Sequence, residues 1–370
     1  MMDKKIGIFT SEFPPLPGGI GNHAYNLATE LHFNNYAITV ITNQRASNIN
    51  EEHQFDRTNP FSTQRVKRYR VAFVTYFFRI VKIFQFLYKE KNTSILSSGK
   101  FSLWVTAFSS IFFKNNKRIG ILHGSEIRAG GKISQQITQW SLKKFDYLIA
   151  VSNFTKDFAL QFNPNLTIEV INNGFNNLQN FEPATHSKII GNPKITTVGN
   201  VTFRKGQQNV INALPKLKEI YPTIHYHIIG IPTQEKEFTA LARKLNVLEN
   251  CTFYGALSNS KLNAVLKQTD VFFMLSEVLK NGDFEGFGIA VLEANAMGKP
   301  AIGANNSGIQ DAIQHQFSGQ LVDAKNQDEI AVALQTIMNN YTVYSKNAIT
   351  WSDNFTWKKI VKKYIEIINQ

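Results

Sequence analysis

The most informative polar residues of this 370-residue chain are two glutamates in an apolar, glycine-containing stretch. Seven residues separate Glu285 from Glu293, and they begin Gly-Phe-Gly and continue Ile-Ala-Val-Leu. A carboxylate can accept hydrogen bonds from two neighbouring hydroxyls, and glutamates in so apolar a run are costly without partners. The glycines free backbone N–H groups at a predicted helix start, a position that binds phosphate. The pattern indicates a site for sugar or ribose diols beside a phosphate, and a coincidental pair of acids on one helix face is the alternative.

Two adjacent cations, Arg204 and Lys205, lie in a loop between a predicted strand at 195–198 and the helix that follows. Ligands commonly bind at the carboxyl edge of parallel strands, and an arginine can bind two phosphate oxygens at once. The pair therefore suits a diphosphate, although a solvated basic loop would have the same composition.

A loop rich in proline and glycine follows the first predicted strand and leads directly into a helix. It reads Phe-Pro-Pro-Leu-Pro-Gly-Gly-Ile-Gly over residues 13–21, and Gly18 and Gly19 stand at the predicted helix entrance. Glycines let backbone N–H groups approach an anion, and a helix N-terminus adds its positive dipole end. The loop favours an anion contact, with an ordinary turn as the alternative.

These residues must be positioned by short apolar strands that alternate with helical patterns. The first series of predicted strands is Ile6–Thr10, Ala37–Thr42, Ile95–Ser98, Arg118–Leu122, Tyr147–Val151 and Thr167–Ile171. The second series is Ile195–Val198, His225–Ile229, Asn250–Tyr254, Val271–Leu275, Pro300–Gly303 and Gly319–Val322. Among the predicted helices are Asn22–His32, Val71–Lys89, Gln135–Lys144, Asn153–Phe162, Gln207–Ile220, Glu235–Leu245, Asn259–Lys267 and Ala290–Met297. This alternation predicts α/β architecture with parallel sheets covered on both faces.

The two series predict two doubly wound, Rossmann-like domains. Residues 1–175 form the first, a polar and asparagine-rich linker covers 176–193, and residues 194–350 form the second. Residues 351–370 contain an amphipathic closing helix with apolar residues on one side and lysines on the other. Doubly wound domains bind ligands at the carboxyl ends of their strands, so two such edges that face each other are expected to enclose a cleft.

Composition restricts the compartment and the class of protein. The chain is 43% hydrophobic and 18% charged, as in globular proteins. Its one cysteine, Cys251, permits no internal disulfide and favours a reducing, cytoplasmic location. The apolar run near the N-terminus is too short for a signal sequence, and no run reaches the roughly 18 apolar residues that span a bilayer.

The net charge of +13 is concentrated in the segment 65–91. That segment contains eight arginines and lysines against the single acid Glu90, a net charge of 8 − 1 = +7, together with eight phenylalanines and tyrosines. Basic and aromatic residues together suit an anionic lipid surface, so we expect the segment to dock on the inner face of the cell membrane. Packing of the aromatic stripe beneath the first sheet is the alternative. Nucleic acid is not expected as a partner, because no binding motif for it is present.

Taken together, these motifs resemble glycosyltransferase family 4 of the GT-B fold. The resemblance rests on the Pro-Pro…Gly-Gly-Ile-Gly opening, His-Gly at 123–124, Ala-Val-Ser at 150–152, Val-Ile-Asn-Asn-Gly at 170–174, Arg-Lys-Gly at 204–206, and the paired glutamates followed by Ala-Asn-Ala-Met-Gly-Lys-Pro at 294–300. It covers essentially the whole chain in order. It implies that the first domain lies on the acceptor side, that the second binds a nucleotide sugar, and that the closing helix crosses back to the first domain.

The resemblance also implies roles for individual residues. His123 would lie beside the C6 hydroxyl of the transferred sugar, and Arg204 and Lys205 would hold the diphosphate. Glu285 would bind the 3- and 4-hydroxyls of the sugar and Glu293 the ribose. The remaining donor contacts would come from Gly18, Gly19 and the main chain of Phe287, Gly288 and Ile289. We expect acceptor contacts from His23, Ser125 and Glu126, although His23 is more readily interpreted as a packed helix residue.

The implied reaction is hexosyl transfer from a UDP- or GDP-hexose to a glycan or lipid-linked acceptor, with retention of anomeric configuration. Neither a cofactor nor a metal is expected, because Asp283-Phe284-Glu285 has the spacing of a metal clamp but its glutamate is already assigned to sugar binding. Three alternatives remain at this point. They are a nucleotide-sugar 2-epimerase of the same fold, a nucleic-acid-binding protein suggested by the high isoelectric point, and a non-catalytic sugar-binding relative.

Overall fold

The chain folds into two compact units, residues 1–174 with 357–370 and residues 175–356. They are seen in a computed structural model that describes residues 4–46, 48–128, 130–176, 188–280 and 282–370. Most of the predicted linker 176–193 lies outside the described residues.

The first unit is built on seven parallel strands in the order β3-β2-β1-β4-β5-β6-β7. The strands are β1 Lys4–Thr10, β2 Tyr36–Asn43, β3 Ser62–Val66, β4 Ser94–Ser98, β5 Lys117–Leu122, β6 Tyr147–Ala150 and β7 Ile168–Val170. The helices between them are α1 Gly19–Phe33, α2 Ile49–Thr58, α3 Ala72–Lys89, α4 Lys100–Ser109, α5 Ser125–Arg128, α6 Lys132–Leu142 and α7 Asn153–Phe162. Strand order reverses between β1 and β4, which places a crevice at their carboxyl ends.

The second unit has six parallel strands in the order β10-β9-β8-β11-β12-β13. They are β8 Lys194–Val198, β9 His225–Ile229, β10 Cys251–Phe253, β11 Val271–Met274, β12 Ala301–Ala304 and β13 Gly319–Val322. Its helices are α8 Gln207–Ile220, α9 Glu235–Lys244, α10 Asn259–Gln268, α11 Ile289–Ala296, α12 Gln327–Asn339 and α13 Tyr341–Ser352. Strand order reverses between β8 and β11, so the loops after these two strands meet at one edge of the sheet.

The last helix, α14 Trp357–Asn369, belongs to the first unit. Its apolar side packs on α1, and the hydroxyl of Tyr364 lies 3.0 Å from Nε2 of His23. At its carboxyl end, Nζ of Lys117 donates to the main-chain carbonyls of Ile367 and Ile368 at 3.1 and 3.3 Å. A cation at this position satisfies carbonyls that have no partner within the helix and complements its dipole.

The predicted α/β class with two doubly wound sheets is confirmed. Eleven of the twelve predicted strands and most predicted helices agree with the observed bounds to within one residue at each end, because buried parallel strands are continuous apolar runs. The prediction contained no element corresponding to β3, α2, α4, α12 or α13. The sequence of β3, Ser-Thr-Gln-Arg-Val, buries only Val66 and so carries little apolar signal.

The interpretation of 65–91 as one cationic surface is wrong for two of its arginines. The side chain of Arg65 is 3% exposed and pairs with Glu52 and Asp56 at 3.0 and 2.8 Å. Arg79 is 1% exposed, and its Nη2 donates to the main-chain carbonyl of Thr10 and to Oγ of Ser102. Both side chains are buried in the first unit, where they contact polar groups that are distant in the sequence. Helical spacing alone does not reveal such partners.

The other part of that segment is on the surface. On α3, Phe73 is 75% exposed and Phe77 is 51% exposed, and Tyr76, Phe78 and Tyr88 are also exposed. Ile83 and Leu87 face the opposite way, into the core beneath the first sheet. The helix therefore packs on the sheet with one face and leaves an aromatic face uncovered among the described residues.

Candidate active site

The second unit gathers four charged side chains at the carboxyl edge of its sheet. Oε2 of Glu285 pairs with Nη1 of Arg204 and, at 2.7 Å, with Nζ of Lys205. Nε of Arg204 lies 3.4 Å from Oδ2 of Asp283. Burial acts to raise the pKa of the Glu285 carboxyl, but the charges of Lys205 and Arg204 and their hydrogen bonds outweigh it, so the pKa lies below its ordinary value. Glu285 is therefore an anion at neutral pH.

The order of the strands explains why these residues meet. The two cations form a short 3-10 turn after β8, and Glu285 lies in the loop after β11, the neighbouring strand. Gly206 ends the turn with φ +80°, and a Cβ there would lie 1.8 Å from the carbonyl oxygen of Leu275. Only a glycine fits so close to the backbone that follows β11. The close approach holds the two loops in contact.

Glu293 lies on α11, one helical stretch beyond Glu285. It is half-buried, and burial raises the pKa of its carboxyl to about 7, while the nearby charge of Lys205 acts to lower it. Among the described residues it makes no hydrogen bond, so its oxygens are open to a ligand. The charge of Lys205 therefore acts to lower the pKa of both glutamates.

The glycines around α11 set the position of the Glu285 loop. Gly288 precedes the helix with φ +91°, and Ile289 is the first helical residue. Phe287 is buried, with its ring centroid 5.9 Å from that of Phe355. The main-chain N–H of Gly308 donates to the carbonyl of Glu285 at 3.0 Å.

Sequence reasoning missed two residues of this site. Gly308 supports the Glu285 loop through its backbone, and Asp283 contacts Arg204 rather than a metal. In the sequence, Asp283 is distinguished only by its position two residues before Glu285. Its partner Arg204 is 79 residues away along the chain, so this contact follows from the pairing of β8 with β11. The described part of the chain contains no group of three or more metal-ligating acids, histidines or cysteines.

The predicted residues of the first unit lie in two places. Gly18 precedes α1 in an extended conformation, with the Glu12 carboxylate so close that a Cβ would lie 2.1 Å from its Oε2, and Gly19 is exposed with open space around it. His123 follows β5, and its main-chain N–H donates to the carboxylate of Glu126. The side chain of Ser125 lies outside the described residues.

Two histidines of the first unit form an edge-to-face pair. The ring centroids of His23 and His123 are 4.9 Å apart. Burial lowers the pKa of His123 to about 4, and burial together with His123 holds the pKa of His23 well below its usual range, so both rings are neutral at pH 7. Nε2 of His23 contacts Tyr364, but Nδ1 of His23 and Nε2 of His123 are both buried without a hydrogen-bond partner among the described residues. His23 therefore has a packing contact that His123 lacks, and contact of either histidine with a ligand stays a prediction.

Comparison with known proteins identifies the class of this fold. Over residues 17–177 the chain matches the family model described as Glycosyltransferase Family 4, and over 180–351 the model described as Glycosyl transferases group 1. It superposes on sucrose-phosphate synthase from Thermosynechococcus elongatus with a TM-score of 0.78, 19% identity and coverage of 99% and 98% of the two chains. It also superposes on the Anabaena protein HepE in complex with UDP and glucose, with a TM-score of 0.78, 17% identity and coverage of 99% of both chains. The fold is that of the GT-B glycosyltransferases.

The two family models, which together cover most of the chain, identify the family, and the sequence relatives are glycosyltransferases. An uncharacterised glycosyltransferase of Methanocaldococcus jannaschii is 27% identical over 98% of this chain and 97% of its own. A GDP-mannose-dependent phosphatidylinositol monomannoside mannosyltransferase of Mycobacterium tuberculosis is 29% identical over 52% of each chain. The chain belongs to glycosyltransferase family 4.

The packing of Gly308 gives a first testable prediction. A Cβ at this position would lie 2.2 Å from the carbonyl oxygen of Gly286 and 2.5 Å from that of Glu285. Gly308→Ala should therefore displace the Glu285 loop, and displacements of about 1 Å can slow a reaction about 10²-fold. Glycosyl transfer rates measured beside thermal unfolding would test this. The control is Gly131→Ala, where φ is −73° and the added Cβ meets open space. Equal transfer by both variants would contradict the prediction.

Proposed function

We propose that this protein is a retaining glycosyltransferase that moves a hexose from a UDP- or GDP-hexose to a glycan or lipid-linked acceptor in the synthesis of cell-surface polysaccharide or glycolipid. The observation that carries the proposal is the cluster of Arg204, Lys205 and Glu285 in the second unit. It joins two cations suited to a diphosphate with a carboxylate suited to sugar hydroxyls. Family membership supports the reaction class, and the donor choice is supported by a relative named as GDP-mannose-dependent and by a structure bound to UDP and glucose.

Charge development on the leaving diphosphate is the step that this cluster would assist most. Arg204 and Lys205 would meet the growing negative charge, and fixed charges in a water-poor site need no reorganisation as the bond breaks. Asp283 is a second carboxylate near Arg204, and Glu285 is an anion that already pairs with both cations. Its Oε2 would have to share them with an incoming diphosphate, and the carboxylate would then accept the 3- and 4-hydroxyls of the hexose.

His123 of the first unit and Glu293 of the second are each proposed to bind a hydroxyl of the donor. The neutral ring of His123 has a buried nitrogen without a partner among the described residues, which suits a hydrogen bond with the C6 hydroxyl. Glu293 would accept hydrogen bonds from the ribose, and a carboxyl whose pKa is about 7 needs little change of environment to ionise when hydroxyl donors arrive.

Retention of configuration is proposed without an enzyme nucleophile. Glycosidases that work through carboxylates place two of them on either side of the anomeric carbon. Here Glu285 is held by two cations, which lowers its pKa and its tendency to attack carbon. The leaving diphosphate would instead help to deprotonate the incoming hydroxyl on the same face of the sugar. Product analysis without acceptor separates this reaction from a 2-epimerase of the same fold, which would alter the free nucleotide sugar.

The acceptor is proposed to lie at the inner face of the cell membrane, reached by peripheral binding. None of the helices within the described ranges has both the length and the apolar character needed to cross a bilayer. The exposed aromatic face of α3, with Arg68 and Arg70 just before it, combines insertion and attraction to anionic lipid. Gly18 and Gly19 would meet the donor phosphates, and Glu126, which accepts from the main-chain N–H of His123, would contact the acceptor.

The division of labour between Glu285 and Arg204 can be tested by substitution. Glu285→Ala removes charged hydrogen bonds of about 1.5–3 kcal/mol each, so transfer should fall by about one to several orders of magnitude. Affinity for the nucleoside diphosphate should not fall, because two cations are released. Arg204→Ala should weaken that affinity and slow transfer by about 10²–10³. Calorimetry and a transfer assay would measure both, with Arg243→Ala, an exposed arginine of the same unit, as control. The reverse pattern would contradict the assignment.

A divalent metal should not be required. Arg204 and Lys205 supply the positive charge that a metal would otherwise supply at the diphosphate. Transfer measured in excess EDTA should therefore equal transfer in untreated buffer. Activity that disappears with EDTA and returns with magnesium or manganese would show that the assignment of the two cations is incomplete.

Membrane binding can be tested on the exposed face of α3. Phe73→Ser with Phe77→Ser removes two aromatic side chains, each worth about 1.5–3 kcal/mol if buried in lipid, so vesicle affinity should fall about tenfold or more per residue. The control is Phe33→Ser with Ile133→Ser, which removes apolar side chains that are 67% and 74% exposed elsewhere in the same unit. Co-sedimentation with phosphatidylglycerol vesicles would measure the difference. The proposal would fail if the two double variants sedimented alike. Arg79 is left unchanged because it is buried.

A further inference from the structure

A second charged pocket lies in the first unit, and none of the residues assigned above to the donor lines it. It has a volume of about 310 Å³ and is formed where three strands end and α3 begins. Ser11 follows β1, Asn43 ends β2, and residues 68–70 follow β3. These are carboxyl ends of neighbouring parallel strands, the edge at which doubly wound sheets bind ligands.

The described lining of this pocket carries three positive charges and no negative one. The cations are Arg45, Arg68 and Arg70. Arg68 and Arg70 are exposed, and within the described chain neither has a carboxylate at ion-pair distance. The first turn of α3, which closes one side, contains no acidic side chain, so its dipole adds positive potential. Three like charges around one cavity repel one another, and an anion between them would remove that repulsion.

The same pocket also offers groups that suit hydroxyls. Oδ1 of Asn43 is buried and has no hydrogen-bond donor among the described residues. Leaving such an oxygen without a donor costs about 1–3 kcal/mol, and a ligand hydroxyl in the pocket would satisfy it. Tyr69 and Tyr76 supply aromatic walls. The arginines suit a phosphate, and the neighbouring amide oxygen of Asn43 suits a hydroxyl. A phosphorylated polyol carries both groups.

Arg45 connects this pocket with the proline- and glycine-rich loop. Its Nη1 and Nη2 donate to the main-chain carbonyls of Leu16 and Pro17 at 3.4 and 3.2 Å. Those contacts orient its guanidinium at the pocket wall without neutralising it. A phosphate bound here would therefore lie next to the loop that leads into α1.

We infer that this pocket binds a phosphate ester of the acceptor, so that the acceptor is an anionic sugar or polyol phosphate. The identification of this ligand as the acceptor rests on the proposed glycosyl transfer, but no residue assigned to the donor lines the pocket. A soluble sugar phosphate and the phosphodiester headgroup of a lipid share this chemistry.

The test is direct binding of phosphate esters to the full chain. Wild-type protein should bind glucose 6-phosphate and glycerol 3-phosphate more tightly than glucose and glycerol, in calorimetry at low salt, and added salt should weaken the binding. Arg68→Gln with Arg70→Gln should lower the affinity about tenfold or more for each guanidinium lost. Arg45 is left intact because it supports a loop.

The matched control removes two charges from the other end of the same segment. Lys89→Gln with Lys91→Gln replaces two exposed lysines that are remote from the pocket lining, and it should bind the esters as the wild type does. Nucleoside diphosphate binding is measured in parallel and should be equal in all three proteins. If wild-type protein does not bind nucleoside diphosphate, the proposed function is contradicted. If it binds nucleoside diphosphate but binds the phosphate esters no more tightly than glucose and glycerol, the inference is contradicted. Ester affinity that is unchanged in the arginine variant would also overturn it.

Vesicles distinguish the two sources of the phosphate. If the ligand is a lipid headgroup, glycerol 3-phosphate should release wild-type protein from phosphatidylglycerol vesicles, and the arginine variant should bind vesicles less tightly than the lysine variant. If the ligand is a soluble ester, glycerol 3-phosphate should leave wild-type protein on the vesicles, while the arginine variant still loses ester binding. Either result supports an anion site at Arg68 and Arg70 and identifies its source.

Discussion

Every strand pairing in both sheets is parallel, and this constraint decides where polar chemistry can lie. Parallel strands require long crossovers, so helices cover the faces and all carboxyl ends collect at one edge. The adjacency of β8 and β11 brings Arg204 within reach of Glu285, 81 residues away along the chain. The same rule in the first unit brings the ends of β1, β2 and β3 around the arginine-lined pocket. Each unit thus has a group of charged side chains at the carboxyl edge of its sheet.

Burial and charge oppose each other at Glu285, and the outcome defines the site. Removing a carboxylate from water favours its protonated form, but two cations in contact with one oxygen reverse that preference. Glu293 has only the more distant charge of Lys205, and burial prevails there. Two glutamates of one motif therefore differ in protonation near neutral pH because of their neighbours. The charge of one lysine, Lys205, acts on both carboxyls.

Sequence patterns predicted the strands well and the charged contacts poorly. Apolar runs such as 271–274 are visible because burial on both sheet faces demands them. Pairings such as Arg79 with the carbonyl of Thr10 join residues far apart in the chain, and helical spacing gave Arg79 the appearance of a surface cation. Asp283 was noted for a spacing that suits metals, although its observed contact is an arginine. The sequence therefore indicated candidate charged residues, but the residues that they contact became known only from the order of the strands.

The position of α14 bears on how the chain acquires its structure during synthesis. Residues 357–369 complete the first unit, yet they are translated after the whole of the second. While the ribosome is still adding residues 175–356, His23 lacks its contact with Tyr364 and the apolar side of α1 that meets α14 is uncovered. Domains generally fold as units and N-terminal ones first, but here the earlier unit cannot complete its packing before residues 357–369 are synthesised. The second unit, continuous in sequence, can finish folding before the first.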